Sequence, residues 1–530
     1  MSLSLQTQVT HIPFDILDVV LDRVEHTPDL LSWSLTCSSL RSAALKRLLG
    51  RRITLRIMKG KDSVRSLHTC IWADRNSPRV QYIRAMEIRF SSALGEDELP
   101  ESQHAETARL VHDILTHATN LSSLTLPMYR YSLSEHPTIS AALANLSNLC
   151  ELSISGQTSS PQELVRSMRS PLRSLTTDFI TRGEEILWTP RIYHQFIGHL
   201  ATTLEVLTLS HLSLNDDSPS KAIRYESLRS LSINIDSTPL LEQLLDWAPA
   251  ISVLNAPEGC FRLIESEYGD IRSRNLAIQA ARGSWKGLRR LVSNPAMLYM
   301  LALSCPIQHL VVSSCHARNK IYITEALRGN PVPRLSLTIL LKEGLSVFYG
   351  LLPPDVQSSL THLTLCMVSS IGDGHLFHHD PAEITPAAHM EWSTLFDTLL
   401  RTLQPLRLTH LRIVVHCDVL LDAKSPIPFS DDFVDAVRHL NLDMVADTLY
   451  RALPSLEFVV LTASLDVAEH NWRWKLESWF VTRGWRRTTA DAAGADGVAA
   501  QRELRREAVD EIIKSEDLWF SKLHYMDSLL

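Results

Sequence analysis

The sequence predicts an α/β chain: a short all-α segment of three helices, then an irregular solenoid with a parallel sheet on its concave side and helices on its convex side. Three observations carry that prediction: the helical periodicity of residues 11–56, a short apolar signature that recurs from residue 83 onward, and helical patterns in the intervals between its copies. With 530 residues, 45 % hydrophobic and 21 % charged, the chain is too long for one compact core.

The opening stretch "HIPFDILDVVLDRVEHTPDLLSWSLTCSSLRSAALKRLLGRRITLR" parses as three helices and a strand. In the first helix Phe14, Leu17, Leu21 and Val24 line one face while Ile16, Val19 and Val20 populate another, so it is apolar on more than one side. Thr27 caps a second helix whose first residue is Pro28 and which carries Leu30, Leu31, Trp33 and Leu35. Ser38 or Ser39 caps a third, holding Leu40, Ala44 and Leu48, which Gly50 ends; Ile53, Leu55 and Ile57 then alternate as a strand does. These helices carry more apolar side chains than they can bury among themselves.

From Ile83 the pattern apolar-x-x-apolar-x-apolar recurs, as in "LSSLTL" at Leu121, "LEVLTL" at Leu204, "LTHLTL" at Leu360 and "LTHLRI" at Leu408. Ten clear and three weaker copies run from Ile83 to Leu456, 19 to 48 residues apart. The commonest intervals fall in the band of roughly 20–29 residues typical of leucine-rich repeats, and the longer ones read as insertions. The last two apolar positions lie two apart, so on a strand they share a side, and the first packs just ahead of them. Helical patterns fill the intervals at 105–116, 139–146, 161–168, 192–200, 239–247, 296–303, 392–403 and 444–453. Strand, helix and parallel strand make the unit of a curved array in which each unit contacts its neighbours. The asparagine or cysteine often found eight residues after the first leucine is met only by Cys315 among the positions compared, which include Tyr129, Gln157, Leu212, Asp236 and Val368. The array is therefore expected to be irregular.

On the open side of the strands small hydroxyls dominate, as β-propensity alone would give. The large polar groups there, Arg290, His309, Arg334, His362, His410 and Arg412, sit toward the C-terminal half, where a docking partner is expected to bind. The tryptophan-rich stretch "HNWRWKLESWFVTRGWRR" is expected to be a bulky amphipathic helix covering the last apolar face, followed by a small-residue linker and a charged helix over 501–515. The expected domains are residues 11–56, 80–466 and 467–530.

Composition excludes several function classes. A formal charge of -7 argues against a protein that grips phosphate backbones. The basic run from Lys46 to Arg65 has no interleaved aromatics and reads as a solvated face. Eight singly scattered cysteines without a Cys-x-x-Cys pair read as reduced intracellular thiols. Neither a leader peptide nor an apolar run near the roughly 18 residues of a membrane span is evident, so a soluble, unsecreted protein of cytoplasm or nucleus is expected, with no membrane partner. Glycine-rich phosphate loops, G-x-S-x-G elbows and H-E-x-x-H are missing from the sequence, so neither an enzyme nor a cofactor is expected. "IGDGHLFHHDPAEITPAAH" gathers Asp373, His375, His378, His379, Asp380 and His389, but its spacing matches no ligand framework; it reads as a solvated insertion without metal.

The ordered series Ile12, Pro13, Asp15, Ile16, Leu17, Val20, Leu21, Asp29, Leu30, Leu31, Ser34, Leu35, Thr36, Cys37, Leu40 and Arg41 resembles an F-box, most closely the variant of fungal proteins that continue into leucine-rich repeats. The match spans about 45 residues. The resemblance implies a substrate-recognition adaptor of a Skp-cullin-F-box ubiquitin ligase, in which the surplus apolar faces go to a Skp-type subunit, a cullin joins through it, and the array holds a protein substrate. Carried over by position, Pro13, Ile16, Leu17, Leu21, Leu30, Leu31, Leu35 and Cys37 form the expected subunit interface, some also packing the F-box itself. The alternative is a repeat scaffold that binds a protein partner with no ligase role.

Overall fold

The computed structural model describes residues 14–518 except 25, 37, 59–60, 74–78, 91–100, 129–136, 157–159, 180–187, 215–223, 236, 258–262, 372–389, 422–431, 470–473 and 489–500. It is an α/β fold with a mostly parallel sheet and many helices, in two compact units: residues 1–211 with 225–228, and residues 212–224 with 229–530.

The first unit opens with α1 (Phe14–Arg23), α2 (Thr27–Ser34) and α3 (Ser38–Gly50). Leu21, Leu30 and Ala44, one from each helix, form a buried cluster against which Val24, Trp33, Leu40, Ala43 and Leu48 pack. Pro28 stands in the first turn of α2, where its missing N–H costs nothing, while the capping position falls to His26, one residue earlier than expected, with no side-chain bond. The Arg51 guanidinium donates to the Val24 carbonyl and to Thr27 Oγ1, tying the α1–α2 junction to the end of α3.

These helices lead directly into the sheet. Strand β1 (Arg52–Met58) pairs antiparallel with β2 (Lys61–Asp62) and parallel with β3 (Ala85–Phe90), with α4 (Ser63–Trp72) between them. Helix α5 (Glu101–His117), β4 (Ser123–Met128), α6 (Pro137–Ala144), β5 (Glu151–Gly156), α7 (Ser160–Ser167), β6 (Ser174–Phe179), α8 (Pro190–Ile197) and β7 (Val206–Leu212) follow, and β3 through β7 are joined in order by parallel pairing.

The second unit continues the same alternation: β8 (Ser230–Ile235), α9 (Leu241–Trp247), β9 (Val253–Ala256), α10 (Tyr268–Arg282), β10 (Arg290–Ser293), α11 (Pro295–Leu301), β11 (His309–Cys315), α12 (Lys320–Gly329) and β12 (Arg334–Leu340). Then come β13 (His362–Ile371), α13 (Trp392–Leu403), β14 (His410–Leu421), α14 (Asp432–Arg438), α15 (Leu442–Ala452) and β15 (Phe458–Glu469). Parallel pairs join β8 through β15 in sequence order.

Every copy of the signature yields a strand that begins two residues after its first apolar residue, from Ile83 and Ala85 to Leu456 and Phe458. The three apolar positions are buried, as at Leu121, Leu124 and Leu126 or Leu360, Leu363 and Leu365, so each copy contributes one layer of core. Neighbouring turns are also stapled by side chains. Buried Asn275 of α10 accepts from the Leu241 N–H and donates to the carbonyls of Pro239 and Met300, and Gln279 one turn later donates to Ala302 O and accepts from Ser304 N–H.

The tryptophan-rich stretch is not the expected helix. Residues 474–487 form β16 (Trp474–Arg487), antiparallel to β15 from Phe458 opposite Arg486 to Glu469 opposite Trp474. The open edge of β15 presents a row of backbone N–H and C=O groups, which a strand satisfies and a helix cannot. The anticipated helix over 501–515 likewise divides into β17 (Gln501–Glu503), paired to β16, and α16 (Arg506–Ser515).

Replacing Asn275 with Leu leaves one N–H and two carbonyls of adjacent turns without a partner. The expected outcome is a loss of about 2–4 kcal/mol in unfolding free energy, read from the midpoint of urea denaturation. A loss under about 0.5 kcal/mol would show that the staple contributes nothing.

Candidate recognition faces

Two surfaces were anticipated. On the first, Ile16 (53 % exposed), Leu31 (49 %) and Leu35 (83 %) are solvent-facing, as are Val19 and Val20, which share one face of α1 with Ile16 at helical spacing. Leu21 and Leu30 are fully buried in the three-helix core and are removed from the expected interface, because a side chain that closes the core cannot also face a partner. Leu17 is half-buried, and Pro13 and Cys37 lie outside the described residues.

The second surface is built by strand register in the second unit. Cα pairing aligns Val253, Arg290, His309, Arg334, His362, His410, Phe458 and Arg486 in one row across eight strands. Two residues further along, a parallel row holds Val292, Val311, Ser336, Thr364, Arg412, Val460 and Gly484. All six residues expected from the sequence therefore stand on one face, five of them consecutive in the first row. Ile413, Val415 and Leu461, neighbours of Arg412 and Val460, line a pocket with Phe396 of α13 and Val445 of α15, so those helices cover the opposite face.

The row is occupied by the chain's own C-terminal segment. Helix α16 packs Val509 and Ile513 against Val460 and Leu504. A Cβ at Gly484 would stand 2.7 Å from Val509 Cγ2, so the missing side chain there admits the helix. The helix ends in a Schellman turn, with Leu518 N–H on Ile513 O and Asp517 N–H on Lys514 O. Asp517 has φ +49°, a left-handed conformation usually left to glycine.

That turn delivers two carboxylates to the row. Asp517 meets Arg290 Nη1 at 3.3 Å and His309 Nδ1 at 2.9 Å, while His309 Nε2 lies 3.1 Å from Ser336 Oγ. Nδ1 of the imidazole donates to the carboxylate, and Nε2 makes a second hydrogen bond with the serine hydroxyl. Arg334 donates from Nη1 to the Glu516 carbonyl (2.9 Å) and from Nη2 to Oε2 (3.0 Å), and His362 Nε2 lies 3.2 Å from the same oxygen. Arg412, buried in the second row, donates from Nη1 to the Leu518 carbonyl at 2.6 Å, and Leu518 itself is buried.

Next to these contacts the His362 and His410 rings stack at 4.2 Å, and His410 stacks on Phe458 at 4.8 Å with the Arg486 guanidinium 5.1 Å over that ring. Burial, helped by His410 and Arg334 and opposed by Glu516, lowers His362 to about 4; burial lowers His410 as well. The hydrogen bond from His309 holds Asp517 below its ordinary value despite burial, with Arg290 adding to the effect. Burial brings Arg412 down to about 10, so it stays cationic at neutral pH, and pushes the buried Cys366 thiol up to about 12. The face thus holds fixed cations beside His362 and His410, which burial keeps neutral at neutral pH, an arrangement suited to carboxylates.

Sequence reasoning found the strand side of this face and missed its contents, Glu516, Asp517 and Leu518, since no local pattern in "KSEDL" points to strands 100 to 230 residues away. It also missed His416, whose ring nitrogens lie 2.8 Å from Ser464 Oγ and 2.8 Å from Asp418 Oδ1 on the same sheet face. The histidine-rich insertion 372–389 lies outside the described residues. Neither a scan against protein-family models nor a search of curated proteins gives a match.

The depressed histidine sets a pH window. From pH 6.5 down to about 4 the unfolded chain binds a proton that folded His362 refuses, so stability falls as pH falls through that interval, by on the order of 2 kcal/mol. The expected Cε1–H resonance of His362, assigned by its loss in His362→Gln, titrates near pH 4, and the same variant shows a flatter loss of stability between pH 6.5 and 4. A midpoint at 6.5 or above contradicts the burial argument.

Proposed function

We propose that the chain is a substrate-recognition adaptor of a Skp-cullin-F-box ubiquitin ligase, with the three helices engaging the Skp-type subunit and a leucine-rich-repeat-like array binding the protein substrate. The observation that carries this reading is the division of labour in α1 and α2. One set of apolar side chains closes a complete small core at Leu21, Leu30 and Ala44, and a second set, Ile16, Val19, Val20 and Leu31, remains on the outside. Apolar side chains exposed on one helix face beyond what a core uses suit a partner surface. The recurring strand signature supports the leucine-rich-repeat character of the array, and its arginine-histidine face supports binding of a protein segment. In this role the chain does no covalent chemistry; it raises the local concentration of a substrate near a conjugating enzyme.

The test is capture of a purified Skp-type subunit, with cullin added, by the intact chain and by an Ile16→Asp, Leu31→Asp double variant. Both side chains are already exposed, so the variant is expected to keep the far-ultraviolet circular dichroism and unfolding midpoint of the intact chain while its capture drops at least about a hundredfold. Leu30→Ala is the contrasting change, expected to destabilise the helical core by about 2–4 kcal/mol. If the intact chain captures neither subunit nor cullin, the ligase reading fails.

A further inference from the structure

The acidic turn that closes α16 is placed as a ligand rather than as ordinary packing. Glu516, Asp517 and Leu518 meet Arg290, His309, Arg334, His362 and Arg412, all five of which lie on the face where a partner was expected. The backbone carries the second sign. Asp517 sits at φ +49°, where glycine would relax the turn, and its carboxylate is the group that reaches Arg290 and His309. A strained position filled by a residue whose side chain is fully used points to a role for that side chain. The third sign is Gly484, which lets α16 approach more closely than any side chain would allow.

From this we infer that the arginine-histidine row is a binding site for an acidic peptide segment, two neighbouring carboxylates followed by an apolar side chain, and that residues 516–518 hold it closed in cis until such a segment displaces them. The inference deepens the recognition role given above to this face and rests on it. The two carboxylates are part-exposed, Glu516 at 30 % and Asp517 at 37 %, so their ion pairs are modest by themselves, which makes the closure reversible. A tethered occupant acts at an effective concentration of roughly millimolar, so an external segment competes at a disadvantage until the tether is weakened.

The probe is a fluorescent peptide of residues 506–518, REAVDEIIKSEDL, titrated with full-length protein and followed by anisotropy. Opened chains come in two forms. Glu516→Gln with Asp517→Gly removes the carboxylates and preserves the left-handed turn, and Val509→Ser with Ile513→Ser loosens the packing of α16 on Val460 without touching a charge. Both are expected to bind the peptide at least about tenfold tighter than the intact chain, more weakly as salt rises, and to lose that gain when Arg334→Glu is added. A peptide with Gln and Asn in place of the two acids should not bind. Equal affinity of intact and opened chains, equal binding of the neutral peptide, or displacement by inorganic phosphate as effective as by the peptide would each overturn the inference. Capture of the Skp-type subunit, measured on the same samples, separates the two readings. A peptide gain without capture removes the ligase role alone, and capture without a gain removes the closed-site inference alone.

Discussion

The parallel register of successive strands is the constraint on which everything else in this molecule depends. Ahead of most strands a single carbonyl accepts two consecutive N–H groups from the next turn, as Ser122 O does from Cys150 and Glu151, and Thr361 O from Thr409 and His410. This shared acceptor fixes where each strand begins. Because the strands begin in step, residues at one position of the signature stand beside each other roughly every 4.8 Å, and a repeat written in sequence becomes a row in space.

That row explains the choice of residues along it. Arginines side by side at strand spacing would repel each other, and the row Arg290, His309, Arg334, His362, His410 puts an imidazole between its two arginines. Burial keeps His362 and His410 from adding charge at neutral pH, so those rings contribute hydrogen bonds and stacking while the fixed charges stay apart. Carboxylates arriving from outside can then sit between an arginine and a histidine, as Asp517 and Glu516 do. Fully cationic rows would hold an anion more strongly but would strain the empty sheet.

Much of the fold was legible because it is local and periodic. The signature located every strand from β3 to β15 to the residue, and eight helices lie where the 3.6-residue pattern put them. Helices α4, α10, α12 and α14 were missed: α10 is mostly polar, its buried positions including Asn275 and Gln279 used as staples between turns. Trp479, Val481, Arg483 and Trp485 alternate as a strand requires, but a cluster of large aromatics with charges between them also fits a helix face; the unpaired edge of β15, invisible in one dimension, decided it. Sequence marked the apolar excess of the opening helices without sorting it, since Leu21 and Ile16 differ only in which side of α1 the other helices occupy. The occupant of the arginine row was beyond reach for the same reason: pairing between residues 290 and 517 is a property of the folded sheet.

Strand β16 runs opposite to every strand from β8 to β15, and it takes the edge on which another parallel unit would have been laid down. The three-residue β17 then leaves only a short rim beyond it. Growth by copying the terminal unit, the simplest way for a repetitive gene to lengthen, is therefore closed at this end. A longer relative would have to gain its length inside the array or in the connections between strands, where the 48-residue steps from Leu360 to Leu408 and from Leu408 to Leu456 already show additions being tolerated without loss of register.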